Sequence, residues 1–469
     1  MKKARFIVFS VLSALALTSC NLFNDNDITI ENHFNTKEEA SAPKPSKYTI
    51  DGTGSQEVNL EDKEDGKKAH VLKNLLYSNY EELDEDGRNI KYIVNNHTTA
   101  KGFKYDVNEG KNYYLNSKDN NFDLYVPTEA DPTKDQTIVL FIHGGAWVAG
   151  LKTHVNPYVK EFAKRGYISA TMEYTLLSKD SLTKDEKDEY TLTQTKTLSV
   201  FRNLDEIQAC IYTINQVLDE LEFTGTRNIV IGGASSGSHL TMLYTYSRGK
   251  TYGPACPLPI KFIINAVGPT DINEDVWKAF NYGEGEETAY EAALEQGLSY
   301  TKIEDRKAEG KLKNLNVSGA SFEWNEYQTM RIANGMCGFP FTPDQVIATT
   351  DEGKVNVTNK DSDVYKSMVS DPVSGEKLLS VTNYITPSTT IPMVCAYSGK
   401  DSIVGIAQFA NLQHALETTA SYTQSETFGA SHYKYWYFPT AGHTDLDRKE
   451  EIENYNGFIE TIDSWLKAA

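Results

Sequence analysis

Asn228-Ile229-Val230-Ile231-Gly232-Gly233-Ala234-Ser235-Ser236-Gly237 reads as a short apolar strand, a glycine-framed turn and the first residues of a helix. Ser235 stands at the centre of the turn, between Gly233 and Gly237. Glycines on both sides give room for a sharp bend that lifts the Ser235 hydroxyl above the sheet. Ser236, at the start of the helix, presents a backbone N–H that can face a developing oxyanion.

Working outward, similar units recur. Residues 137–142 (Thr-Ile-Val-Leu-Phe-Ile) form a continuous apolar run, the pattern of a strand covered on both faces. A helix is predicted over 154–165 and a second buried strand over 166–172. Helical spacing follows at Leu204, Ile207, Ile211, Ile214, Val217, Leu218 and Leu221. A helix over 236–246 leads to a strand over 260–267. Later come a strand over 392–397, a helix over 404–418, a strand over 433–438 and a closing helix over 449–466. Residues 122–127 alternate like an edge strand stopped by Pro127. Strands alternating with helices predict an α/β fold with a mostly parallel sheet and helices on both faces. Ligands then gather at the carboxyl edge of the strands, so each candidate residue is judged by the strand end it follows. Residues 271–390 carry mixed signals and read as a long insertion in this frame.

The chain has 469 residues, 39% of them hydrophobic and 24% charged, the composition of a globular body with a sizeable core. Its net charge of −19 argues against nucleic acid as a partner. Lys2, Lys3 and Arg5 precede an apolar run over 6–17, which closes on Leu17-Thr18-Ser19-Cys20. That order matches a secretory signal. It also resembles the bacterial lipobox, which implies a lipidated Cys20, a membrane anchor and a place in the cell envelope, periplasmic or on the cell surface. Residues 21–75 are polar and read as a tether, or alternatively as a solvated extra lobe; the main domain is placed at 76–469. Of the remaining cysteines, Cys210 and Cys395 lie in apolar segments and read as buried thiols. Cys256 and Cys337 carry no such signal, and no Cys/His spacing points to a metal.

A second motif, His143-Gly144-Gly145-Ala146-Trp147, follows directly on the 137–142 strand. Its glycines let backbone N–H groups approach a substrate. A serine hydroxyl is a poor nucleophile and needs a base held by an acid. His443 follows the 433–438 strand through Pro439-Thr440-Ala441-Gly442 and so reaches the carboxyl edge. His414 falls inside a helix and His432 at the opposite end of its strand. His239 lies one turn down the helix from Ser235 and reads as a buried structural residue, and His143 as a brace for its own loop. Two acids, Asp401 and Asp271, follow strand ends at the right edge. A role for Asp401 as a helix cap competes with the catalytic one, since a carboxylate facing the helix would turn away from a base.

Phe141–Trp147, Glu173-Tyr174, the Gly233–Leu240 turn and Val267-Gly268-Pro269-Thr270-Asp271 together resemble the α/β-hydrolase fold. The similarity runs from about residue 120 to the C-terminus. It is nearest to the secreted carboxylesterase and hormone-sensitive-lipase-like branch, with acetyl and feruloyl esterases among its members. The resemblance implies a Ser235–His443–Asp401 triad, favouring Asp401 because the acid of this family lies on the loop after the penultimate strand. It also implies an oxyanion hole from Gly144, Gly145, Ala146 and Ser236, and no cofactor or metal; Tyr174 reads either as support for the oxyanion loop or as a packed core tyrosine. Ala146 stands where many members have a third glycine, and the insertion is longer than a usual cap. The substrate it implies is a small-molecule or polysaccharide-linked ester. Three alternatives stay open at this point. A serine peptidase of the oligopeptidase type would usually bring propeller repeats, which are not seen upstream. An amidase or formamidase would share the His-Gly-Gly-x-Trp loop. A non-catalytic binding protein would normally lack a member of the triad.

Overall fold

The computed structural model describes residues 55–61, 66–77, 121–147, 149–176, 200–248, 255–270, 379–401 and 403–469, with two short ribbons that pair 182–184 with 190–192 and 348–349 with 355–356. The signal segment 1–20 with Cys20, residues 21–54, Asp271, Cys337 and, apart from the ribbon near 350, the insertion up to residue 378 lie outside the described residues.

Ten strands form the main sheet: β1 (Ser55–Asn59), β2 (Lys68–Leu76), β3 (Asn121–Pro127), β4 (Gln136–Ile142), β5 (Ile168–Met172), β6 (Arg227–Ala234), β7 (Ile260–Ala266), β8 (Met393–Ser398), β9 (Thr423–Gln424) and β10 (His432–Phe438). Their spatial order is β1-β2-β3-β5-β4-β6-β7-β8-β10-β9. From β5 to β9 every pairing is parallel. At the other margin β1, β2 and β3 add on antiparallel.

Alternation along the central strands sends side chains into two cores. Ile138, Leu140 and Ile142 of β4, with Met393, Cys395 and Tyr397 of β8, face one core. Val139, Phe141, Val394 and Ala396 face the other. The first core is covered by α2 (Val200–Glu220), α3 (Ser236–Ser247) and α4 (Ile406–His414). The second is covered by α1 (Asn156–Lys164), through Val159, Phe162 and Ala163, and by α5 (Ile452–Ala468), through Phe458, Ile462 and Trp465. Each such side chain, fully buried, contributes about 1.5–3 kcal/mol. Helix α3 is buried along its whole length although it is rich in serine and threonine. Three of its hydroxyls are satisfied by carbonyls: Ser238 and Thr241 donate to β6, and Ser247 to its own helix.

Three expectations need correction. The tether placed at 21–75 is corrected over its last third, where β1 and β2 are strands of the sheet. Lys68 and Lys73 obscure the apolar pattern, yet Ala69, Val71, Leu72 and Leu75 are buried. Consequently β3 is an interior strand, paired on both sides and buried at every residue, and not an edge strand. The insertion also returns earlier than residue 390. Val381 N–H donates to the Thr270 carbonyl at 2.7 Å, and Leu379, Val381 and Ile385 are buried in the body. Cys210 and Cys395 are buried free thiols whose pKa is pushed up by burial.

The antiparallel margin is joined to the body through a buried ammonium. Lys152 Nζ lies 2.8 Å from Asp123 Oδ1 of β3 and donates to Asn74 Oδ1 (2.5 Å) and to Asn121 Oδ1. Asn74 sits at an irregularity in β2 with φ of 54°, and its N–H also donates to Asp123 Oδ1. Lys152→Met leaves the Asp123 carboxylate buried beside an apolar chain. It is expected to cost about 3–5 kcal/mol, read as a lower urea midpoint at constant slope. Adding Asp123→Leu is expected to recover most of that loss.

Candidate active site

Strand register brings the chemistry together. Ile142 pairs with Gly233, Ala234 with Ala266, Ala266 with Ala396, and Ser398 with Phe438. The carboxyl ends of five strands are therefore level. The segments that leave them, at 143, 235, 267, 399 and 439, open on one rim of the sheet.

Ser235 caps the start of α3 with φ 54° and ψ −124°, a strained conformation for a side chain with a Cβ. Close backbone approach enforces it. A Cβ on Gly233 would lie 2.3 Å from the Gly237 carbonyl carbon, and one on Gly237 would lie 2.2 Å from the Ile142 oxygen. Ser235 N–H donates to Ala266 O at 2.8 Å, which fixes the turn against β7.

His443, on the loop after β10, has Nε2 at 2.8 Å from Ser235 Oγ and Nδ1 at 2.7 Å from Asp401 Oδ2. Asp401, on the loop after β8, is 2% exposed, so its charge is shielded from water and directed at the imidazole. Its other oxygen, Oδ1, accepts the N–H groups of Ile403 and Val404, both at 2.8 Å. The expected helix cap is thus corrected: α4 starts at Ile406 behind Gly405, so Asp401 Oδ1 holds the loop ahead of the helix and leaves Oδ2 free to face the histidine. The His443 loop is itself held. Lys400 N–H donates to Ala441 O, Asp445 Oδ1 accepts Gly442 N–H at 2.5 Å, and Glu451 accepts both the N–H and the hydroxyl of Thr440.

Gly144, Gly145 and Ala146 follow β4 on the same rim. Gly145, Ala146 and Trp147 have φ of 128°, 50° and 63°. Gly144 touches the nucleophile's turn: a Cβ there would lie 2.8 Å from Ala234 O and 2.9 Å from Ser235 Cβ. Gly144→Ala must therefore push the loop away from Ser235. Its kcat is expected to fall by about 100-fold, with the fold intact by circular dichroism. Ser236 is the first residue of α3, and its N–H has no acceptor within the helix.

The remaining sequence candidates have clear places. Tyr174 stacks on His143 with ring centroids 4.2 Å apart, and its hydroxyl donates to His143 O at 3.3 Å. The same hydroxyl lies 3.4 Å from Ser236 Oγ, so Tyr174 braces the loop and the nucleophile's helix together. Burial pushes its phenol up, against the Ser236 contact. His143 is buried, its Nδ1–H donating to Gly144 O and its Nε2 3.4 Å from Glu173 Oε2. His414 ends α4 and is exposed, and His432 begins β10 with Nδ1 2.9 Å from Thr427 O. Sequence reasoning assigned no task to Trp147 or Lys152. The indole of Trp147 donates to His239 Nδ1, a contact spanning 92 positions that no local pattern signals.

Residues 122–301 match the BD-FAE family model. No curated protein matches the chain. Similar solved structures include an inhibited esterase B from Lactobacillus rhamnosis, at 14% identity and TM-score 0.43 over 76% of this chain and 85% of that one. A truncated carbohydrate esterase from gut microbiota shows 14% identity and TM-score 0.40 over 74% and 92%. The butyrate-bound esterase Est2 of Thermogutta terrifontis shows 14% identity and TM-score 0.41 over 74% and 89%. With the BD-FAE match across its central strands, and a parallel sheet that sets a serine beside an imidazole, the chain is a serine ester hydrolase of the α/β-hydrolase fold.

Proposed function

We propose that Ser235, His443 and Asp401 are the catalytic triad of a secreted, lipid-anchored carboxylesterase whose substrates are acyl groups on polysaccharide. The observation that carries the triad is the unbroken hydrogen-bond chain from Ser235 Oγ through His443 to Asp401 Oδ2. Asp401 accepts the proton on His443 Nδ1, which leaves the Nε2 lone pair facing the serine hydroxyl. Ser235 Oγ attacks the ester carbonyl as its proton passes to Nε2. The imidazolium so formed is stabilised by the buried carboxylate. N–H groups from Gly145, Ala146 and Ser236 receive the oxyanion. The Nε2 proton then leaves with the alcohol. Water, deprotonated by the same nitrogen, attacks the acyl-enzyme, and collapse returns the proton to Ser235 with release of the acid.

The anchor rests on the basic, apolar and Cys20-terminated order of the first twenty residues. An enzyme held outside the cell gains access to esters too large to import, and this supports a polysaccharide-bound substrate. Treatment with an organophosphonate followed by peptide mapping is expected to place one phosphonyl group on Ser235; a label elsewhere refutes the triad. Release of acetate or ferulate from acylated xylan, compared with p-nitrophenyl esters of increasing chain length, tests the substrate class. Radiolabelled palmitate that stays with a Cys20→Ala variant refutes the anchor.

A further inference from the structure

The oxyanion turn contains two consecutive left-handed residues that are not glycine, Ala146 and Trp147. Such residues cost of order 1–3 kcal/mol each and persist only where their surroundings hold them. One holding contact lies within the loop, where Ala149 N–H donates to Gly145 O at 2.9 Å. The other reaches across to the nucleophile's helix. Trp147 Nε1–H donates to His239 Nδ1 at 3.2 Å, and the two rings meet edge to face with centroids 5.2 Å apart.

An indole N–H can only donate, so His239 Nδ1 must be the unprotonated nitrogen. The ring hydrogen is then on Nε2, which lies 2.8 Å from the Leu379 carbonyl and donates to it. Protonating Nδ1 would set two N–H groups against each other. Burial opposes that charge and draws the His239 pKa down to about 4, so the ring is neutral at ordinary pH. One side chain, four residues beyond the nucleophile, thus joins three segments: α3, the oxyanion turn and the point where the chain re-enters the body at Leu379.

We propose that His239 is a positioning residue for ester hydrolysis: its neutral Nδ1 holds the Trp147 turn so that the loop's N–H groups stay aimed at the oxyanion beside Ser235. The inference rests on the triad reading above. It predicts that the acceptor at Nδ1 governs the reaction, whereas the donor at Nε2 serves the fold. His239→Asn keeps an acceptor near the Nδ1 place, and His239→Gln keeps a donor near the Nε2 place.

The test compares His239→Asn, His239→Gln, Trp147→Phe and the Gln/Phe double variant on p-nitrophenyl acetate, with folding followed by circular dichroism. Trp147→Phe and His239→Gln are expected to lower kcat by about 10–100-fold with KM nearly unchanged, the mark of support felt only in the transition state. The double variant should fall no further than the worse single one, because both remove the same bond. His239→Asn should stay within a few-fold of wild type in kcat, although less stable. Additive losses, or an Asn variant as slow as the Gln variant, overturn the proposal. Where a His239 variant does not fold, Trp147→Phe decides alone, since it leaves His239 in place and keeps an aromatic ring in the turn while removing the N–H donor; an unchanged kcat overturns the proposal. Labelling of wild-type protein with the organophosphonate separates the two ideas. Failure to label Ser235 sinks the triad, whereas normal labelling with unchanged variant kinetics sinks only the role of His239.

Discussion

Ser235→Ala is expected to lower kcat on p-nitrophenyl acetate by about 10⁴–10⁶-fold while the chain folds and binds substrate as before, and His443→Ala should match it. The hydroxyl and the imidazole act as one unit, joined by a 2.8 Å contact, so the double variant should be no slower than either single one. Ser235→Ala should cost little stability, whereas His443→Ala takes a partner from the buried Asp401 carboxylate and should cost about 1–3 kcal/mol. Ser235 sits in a strained conformation, and its side chain makes one hydrogen bond, to His443. Steady-state kinetics, set beside urea unfolding of each variant, would show the dissociation of the two properties. A fall of only a few-fold in both variants would mean that hydrolysis proceeds at another group.

Asp401→Asn should produce the second largest effect, a loss of about 10⁴-fold in kcat at nearly unchanged stability. The reason lies in the divided carboxylate. An asparagine can keep its carbonyl oxygen on the Ile403 and Val404 N–H groups, where Oδ1 now accepts both. Its amide then faces His443 Nδ1, which must give up its hydrogen to accept. The proton moves to Nε2, and the imidazole can no longer take one from Ser235. Asp401→Ala should lose the same activity and additionally about 1–3 kcal/mol, because the two N–H groups lose their acceptor. Equal stability losses in Asn and Ala variants would contradict this division of labour.

The central strands were legible because a strand covered on both faces must be apolar throughout, as 137–142 and 228–231 are. Ser235 and His443 were placed by asking which strand end each follows, a question that topology answers without coordinates. β2 escaped notice because its partner β3 is distant in sequence, and β1, which pairs only with β2 among the described strands, escaped with it. Leu72 pairs with Leu124 and Ala69 with Pro127. The lysines between them match the composition of a solvated segment. Lys152 was invisible for a related reason. Nothing in its neighbourhood announces Asp123, Asn121 and Asn74, which two separate strands, β3 and β2, supply. The double task of Asp401 was misjudged by treating a carboxylate as a single direction, although its two oxygens point apart.

The described sheet also has unusually little to offer at its margins. One ends in β9, two exposed residues long, and the other in β1, five residues long, where Glu57 forms an ion pair with Lys68. Open backbone donors and acceptors at such rims are what a second copy would zip onto, and here the run of rungs is short and charged. At high concentration, neighbouring molecules would therefore meet with little tendency to fuse sheet to sheet.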